Sequence, residues 1–408
     1  MKKTYRNLDN TAKAFSLAEK KYNNRFRLIV ILKEKINSKI LESATLKTLN
    51  MYPSYKVKMK NGFFWNYLET NKNEIIVKEQ NQNSSINLDK NNEYLFKVSF
   101  NNNKIILDML HILTDGAGAK IFLKGILTNY LNIKYNLKSN KKEVINNYTE
   151  DKYLKHADKN LLSNNKNKKA FLIKEKSNIY INKTNHYILN LKEFKNICKK
   201  NNVSITEYLT ALYIYAFYKA VYNKSINEDI VVTIPIDLRK HYKEESYSNF
   251  FTCMNIEGNV TNNQNISFYK ILNQVKNEFK NKSNIKKIKE YLAKDVRLGT
   301  NVSINLVPLF IKKIFMKCFG TIVNPTSTTT LSNVGQFEIE PQYKPYIDNI
   351  MILVSTGKIQ KVKCTICSYE NNLTVTINSN LINNKLEKEF YSLLKKHVGK
   401  FKLETYNI

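Results

Sequence analysis

Apolar and polar positions recur with period two in some stretches of the chain and near 3.6 in others, and their order sketches an architecture. From Arg25 to Lys33, the residues Phe26, Leu28, Val30 and Leu32 share one face, which predicts a strand. Asn37 or Ser38 stands where a cap is needed for a helix running to Asn50, and Pro53 stops it. Tyr55 to Met59, Phe63 to Leu68, Glu74 to Lys78 and Tyr94 to Phe100 read as further strands between Asn-rich turns. Ile105, Leu107, Met109 and His111 then alternate on one face, after which Ile121, Phe122, Ile126 and Tyr130 recur at helical spacing. A strand therefore ends on a histidine, and a helix starts near Gly116. The first half reads as a sheet with helices on one side.

From about 134 to 183 the chain is polar, dense in Lys and Asn, and reads as a connection containing some helix. Tyr187 to Leu191 predicts a strand, and Ser204-Ile205-Thr206-Glu207 opens a helix through Val221. Ile230 to Pro235 is a buried strand that delivers Asp237-Leu238-Arg239 at its end. Helical runs fill 266 to 294, a strand pair spans 351–355 and 361–378, and a last helix reaches about Phe401. The apolar window Ile304 to Phe319 is interrupted by Lys312, Lys313 and Lys317 and is too short to span a bilayer. It reads as an amphipathic core helix, with a membrane-surface helix as the alternative.

A chain of 408 residues can bury two substantial cores, and 42% hydrophobic with 25% charged residues is ordinary for a globular protein. The net charge of +32 invites a nucleic-acid or acidic-membrane reading. Its makeup argues otherwise, since only five of the 66 basic residues are arginine (Arg6, Arg25, Arg27, Arg239 and Arg297) and the lysines are scattered. Specific nucleic-acid readers favour the planar arginine fork. Weak attraction to an anionic cofactor or acidic lipid remains as a low-salt effect. The cysteine count is odd, and Cys364-x-x-Cys367 lies in a strand-like run where positions three apart face opposite ways. Reduced thiols fit better than zinc, so no metal is expected and a cytoplasmic location is. The polar start of the sequence predicts no signal peptide.

The residues able to do chemistry converge on His111-x-x-x-Asp115-Gly116. An imidazole at a strand end can be a general base, or merely a capping or core histidine. Asp115 suits a helix N-cap. Ser332-Asn333 before Val334-Gly335 reads as turn chemistry. Trp65 reads first as core and second as a pocket wall. His156, His186, His241 and His397 have no companions and receive no role.

The stretch from His111 to Gly116 resembles the HxxxDG signature of the CoA-dependent acyltransferase superfamily, which includes chloramphenicol acetyltransferase and nonribosomal condensation domains. The succession Leu8-Asp9-Asn10, Gly62-Phe63-Phe64-Trp65, the signature, Asp237-Leu238-Arg239-Lys240 and Leu331-Ser332-Asn333-Val334-Gly335 is closest to the alcohol acetyltransferase branch. Leu110 stands where many relatives carry a second histidine, a departure that this branch shares. The resemblance, spanning roughly residues 5 to 400, implies an α/β (α+β sandwich) fold. It implies two chloramphenicol-acetyltransferase-like subdomains, 1–165 and 166–408, with an active-site channel between them.

The resemblance further implies acyl transfer, most simply of acetyl, from a CoA thioester to the hydroxyl of an alcohol. In that reading His111 is the general base, Asp115 forms a structural ion pair with Arg239, and Ser332 or Asn333 lies near the oxyanion. Gly116 would relax the backbone, and Gly118 would let the helix approach substrate or a neighbouring strand. Acyl-CoA is a co-substrate, and no permanently bound cofactor is implied. A carrier-protein-dependent condensation-type enzyme and a non-catalytic binding module on the same scaffold are the alternatives.

Overall fold

The computed structural model describes residues 5–17, 25–80, 91–137, 150–158, 160–161, 169–178, 182–222, 228–260, 266–319 and 326–407. The first half runs β1 (Tyr5–Asn7), α1 (Asn10–Ser16), β2 (Arg25–Leu32), α2 (Ser38–Met51), β3 (Val57–Asn61), β4 (Asn66–Thr70), β5 (Val77–Glu79), β6 (Phe96–Asn101), β7 (Lys104–Leu110), α3 (Gly116–Tyr135) and α4 (Lys152–His156). The second runs β8 (Lys183–Asn190), α5 (Leu191–Lys200), α6 (Ile205–Ala220), β9 (Ile230–Asp237), α7 (Arg239–Tyr242), β10 (Phe251–Gly258), α8 (Phe268–Lys282) and α9 (Ile285–Thr300). It ends with α10 (Val302–Asn305), α11 (Leu309–Phe319), β11 (Thr329–Gln336), β12 (Ile347–Val354), β13 (Val362–Tyr369), β14 (Asn372–Ser379), α12 (Lys385–Val398) and β15 (Lys402–Asn407). The boundary suggested at 165/166 falls outside the described residues.

Two large sheets carry this mixed α/β fold. One has the order β12-β2-β7-β6-β5, the other β10-β9-β11-β13-β14-β8-β15. Helices α2 and α3 cover the first sheet, where Leu28, Val30, Leu107, Met109, Phe122 and Ile126 share one core. Helices α6, α8 and α12 build the second core over Val232, Leu331, Val362, Cys364 and Val375. Several helix starts follow the sequence closely. Asn37 caps α2 through Ile40 N–H, and Ser204 with Glu207 forms a reciprocal capping box on α6.

The uncovered face of the first sheet meets the second sheet. Ile29, Ile31, Ile106, Met351 and Leu353 form a small core there, with Ile188 of β8 packed against it. That packing buries both faces of β2. It also buries Arg27, which makes a bidentate pair with Asp108 across the β2–β7 ladder at 2.6 and 3.0 Å. Strand β12, from late in the chain, pairs antiparallel with β2 and completes the first sheet. Cys364 faces the second core while Cys367 faces the first, as alternation requires, and burial pushes the Cys367 thiol up to about 12. Among the described residues no cluster of His, Cys, Asp or Glu could hold a metal ion.

Four strands escape the periodicity argument, among them the short β1. β11 carries Ser332, Asn333 and Gly335 because one of its faces lines a cavity, β15 is a polar edge strand, and β10 is interrupted by Thr252 and Asn255. The final helix stops at Val398, before Phe401, where Gly399 adopts φ +91°. The core-helix reading of the window from Ile304 fails more sharply. Val302, Leu306, Phe310, Ile314 and Phe315 are exposed, and Phe63 and Phe64 stand exposed beside them. The backbone carbonyl of Phe63 accepts from Leu309 N–H, and that of Phe64 from Lys312 Nζ, both at 2.8 Å. Among the described residues no helix is long and apolar enough to cross a membrane.

Candidate active site

Strand β7 ends at Leu110, and a turn closed by Leu113 N–H on the Leu110 carbonyl (2.9 Å) carries His111. Asn249 donates from Nδ2 to the His111 carbonyl at 2.8 Å and to Asp9 Oδ2 at 3.0 Å. Asp9 in turn caps α1 through Ala12 N–H at 2.7 Å. The histidine backbone is thus tied to two segments far away in sequence.

The imidazole lies among three phenyl rings, with centroid distances of 4.5 Å to Phe26, 5.0 Å to Phe15 and 6.0 Å to Phe251. Nδ1 is buried and has no hydrogen-bond partner among the described residues, which leaves Nε2 as the nitrogen presented to the cavity. Burial lowers the imidazole pKa to about 4 against the opposing charge of Asp115. The ring is therefore neutral at pH 7 and can accept a proton.

The cavity holds about 270 Å³. Its walls come from both halves of the chain: Phe15, His111 and Gly116 on one side, Pro235, Phe251 and Ser332 on the other. His111 is neither sealed in hydrocarbon nor turned to bulk water.

Asp115 performs both tasks that its position suggests. Its Oδ1 caps α3 by accepting from Ala117 and Gly118 N–H at 3.1 and 3.0 Å. The guanidinium of Arg239 grips the same carboxylate at 2.9 and 3.0 Å, and Phe250 N–H adds a bond at 2.8 Å. Burial would raise the carboxyl pKa, but Arg239 and the N–H donors outweigh it and hold the group below its ordinary value. Arg239 also donates to Asp237 and to the carbonyls of Ser246 and Ser248, so its fork is fully engaged.

The glycines act differently from expectation. Gly116 has no positive φ, and a Cβ there would meet Val334 at 3.4 Å on the cavity wall. It provides space rather than backbone freedom. Gly118 faces away from the cavity lining, and a Cβ there would run into the Thr114 hydroxyl and lie 3.0 Å from the Tyr247 carbonyl.

Ser332 and Asn333 both line the cavity. The Asn333 amide is committed, donating to Thr206 Oγ1 and accepting from Gly335 N–H, both at 2.9 Å, around a register shift of β11. Ser332 is the member of the pair whose side chain has no such bonds among the described residues. Trp65 is neither core nor cavity wall, being half-buried with Nε1 on Asn305 Oδ1 and Lys312 Nζ 3.8 Å over its ring.

Sequence reasoning missed Asn249, Phe15, Phe251, Arg25 and Lys363, which surround His111 or line the cavity. Asn249 lies in Ser246-Tyr247-Ser248-Asn249, a run with no periodicity, and offers no signal. The one available clue was Lys363, a charge at a strand position that burial disfavours.

No family model matches the sequence, and no curated protein matches it. Solved structures do. The chain is similar to trichothecene 15-O-acetyltransferase of Fusarium sporotrichioides, at 11% identity over 97% of this chain and 95% of that one, with a TM-score of 0.65. It is also similar to the first condensation domain of the calcium-dependent antibiotic synthetase, at 10% identity over 97% of each chain, with a TM-score of 0.64. Polyketide synthase associated protein 5 of Mycobacterium tuberculosis aligns at 11% identity over 97% of this chain and 98% of its own, with a TM-score of 0.61. Such coverage at such identity shows likeness of backbone across the whole chain. The protein therefore has the two-subdomain α/β fold of this acetyltransferase and these condensation domains.

Proposed function

We propose that the chain is an O-acyltransferase that moves an acyl group, most simply acetyl, from a CoA thioester to the hydroxyl of an alcohol. The observation that carries this reading is a neutral imidazole opening into a cavity walled by both halves of the chain. In the step, His111 Nε2 takes the acceptor's hydroxyl proton as its oxygen bonds to the thioester carbonyl carbon. Ser332 Oγ, on the cavity wall, donates to the resulting oxyanion in this reading. Collapse breaks the carbon–sulfur bond, and the imidazolium returns its proton to the thiolate. A buried ring with a low pKa gives that proton up readily. Asp115 and Arg239 touch neither reactant in this scheme and hold the turn. The division into 1–165 and 166–408 belongs to the same reading, with β12 lent back to the first lobe.

His111→Ala is expected to lower acyl transfer by about 100-fold or more, read as thiol release from acetyl-CoA over an alcohol panel. Unchanged turnover would reject the assignment. An acyl group delivered on a carrier protein is the rival, and transfer from an acylated carrier with none from free CoA would favour it. A binding module would release no thiol from either donor. The reading includes a cytoplasmic location, which unpaired thiols at Cys198, Cys253, Cys364 and Cys367 support. The exposed ridge of α10 and α11, on a chain of net charge +32, supports weak association with acidic lipid surfaces.

A further inference from the structure

Strand β13 contributes Lys363 to the cavity lining. Val362, Cys364 and Ile366 point into the second core, so Lys363, Thr365 and Cys367 point toward the first lobe. Thr365 and Cys367 are covered there by β12 and donate to the carbonyls of Ile352 and Ile350. Strand β12 ends at Val354, and Lys363 lines the cavity together with Val354 and Ser355. Across the parallel ladder its neighbour is Thr330, which also lines the cavity and whose hydroxyl donates to Gln360.

Among the described residues, no side chain or carbonyl accepts a hydrogen bond from the Lys363 ammonium, and no carboxylate pairs with it. The other charges near the cavity differ. Lys120 donates to the carbonyls of Val334 and Gln336, and Arg239 takes both Asp115 and Asp237, the two carboxylates of the lining. Lys240 is exposed at the rim. Burial alone pushes the Lys363 pKa down to about 8, so the group remains largely charged at pH 7, and its charge helps to hold His111 unprotonated. Lys363 is partly exposed and lines the cavity, so its ammonium is open to an anion that enters there. Phe15, Pro235 and Val354 are apolar, and Arg25, which also lines the cavity, is a second cation on that wall.

We propose that Lys363 is the receptor for a carboxylate carried by one of the two reactants, so that the enzyme's substrates include an acid: a hydroxy acid as acceptor or a dicarboxylic acyl thioester as donor. The inference rests on the acyl-transfer reading and narrows it from alcohols at large to an anionic class. The reacting hydroxyl or carbonyl is at His111, and the carboxylate anchors the same molecule on β13.

The experiment compares wild type with Lys363→Met and Lys363→Arg. One arm sets acetyl-CoA against 3-hydroxybutyrate and the neutral 2-butanol; the other sets 1-butanol against succinyl-CoA and butyryl-CoA. In one of these arms, wild type should favour the acid over its neutral counterpart by at least about tenfold in kcat/KM. Lys363→Met should abolish that preference, costing at least about tenfold more in kcat/KM on the acid than on its neutral counterpart, and Lys363→Arg should restore part of it. The arm that responds identifies which reactant carries the carboxylate. Equal loss on acid and neutral substrates, or no preference in wild type, overturns the proposal. Acetylpantetheine in place of acetyl-CoA removes the nucleotide phosphates; a Lys363→Met effect that vanishes with it would assign the lysine to the coenzyme and also overturn the proposal. If wild type releases no thiol from any donor, the acyl-transfer reading fails by itself. Calorimetric binding of succinate and 3-hydroxybutyrate then decides: retention by wild type and loss in Lys363→Met sustains the carboxylate site, and no binding by wild type ends it.

Discussion

Removing Arg239 tests whether the turn that presents His111 is held by the ion pair behind it. Arg239→Met deletes two charge-assisted bonds to Asp115, whose side chain is 6% exposed. Breaking one side of a buried pair costs about 3–5 kcal/mol, because the remaining charge is stranded. Asp115 keeps three N–H donors, from Ala117, Gly118 and Phe250, so the lower end, about 3 kcal/mol, is expected. That is roughly a hundredfold in the folded-to-unfolded ratio. Asp115→Asn also destabilises, and the double variant should lose less than the sum of the two by about 2 kcal/mol. Urea unfolding of the four proteins of this cycle, with His111-dependent turnover alongside, is the assay. Arg239→Lys should recover little, since a point charge cannot reproduce the fork. Because the Asp115 carboxyl is held below its unfolded value, its stabilisation is complete above about pH 3.8 and is lost as pH falls through the folded pKa. A cost under about 1 kcal/mol for Arg239→Met, with additive singles, would refute the reasoning.

The remaining expectations are shorter. With the His111 pKa lowered to about 4, kcat/KM should hold level on the acid side down to about pH 5, and a limb near 6.5 would contradict the buried environment. The unfolded chain binds that proton first, so stability falls as pH drops from 6.5 toward 4, by about 3 kcal/mol for this ring; the wild-type minus His111→Ala difference isolates it. Gly118→Ala should destabilise by about 1–3 kcal/mol on urea unfolding, because its Cβ meets Thr114 and Tyr247, whereas Gly116→Ala should fold normally and raise KM. Sedimentation with vesicles containing acidic lipid should retain the protein at low salt and lose it when Leu306, Phe310 and Phe315 are changed to Ser; equal binding by that variant would remove the ridge from the account.

The sequence made the frame legible where one periodicity acted alone. Alternation from Ile105 to His111, followed by helical spacing from Ile121, located β7, α3 and the histidine between them. Asn37, Ser204 and Asp115 announced helix starts because a cap needs only its immediate neighbours. Asp115 and Arg239 were paired by resemblance, and their geometry then showed the same carboxylate serving as a cap. What stayed hidden depends on contacts distant in sequence. Arg27 is buried on the face of β2 that the second sheet covers, a contact no local pattern announces. Asn249 lies 138 residues from the carbonyl it holds, and no local pattern encodes such a bond. Lys363 stands out in the sequence as a charge within β13, but its place in the cavity depends on where β12 ends.

Strand β12 gives synthesis of this protein a definite order. Residues up to 137 contain β2, β7 and the helices that cover them, but the open edge of β2 finds its mate only when 347–354 have been made. A nascent first lobe therefore waits for more than 200 residues with one row of N–H and C=O groups unmatched. A fragment ending between the halves would carry that bare edge permanently, and association with another such fragment is the expected fate. Splitting the gene at its apparent midpoint should yield pieces that work only when they fold in each other's presence.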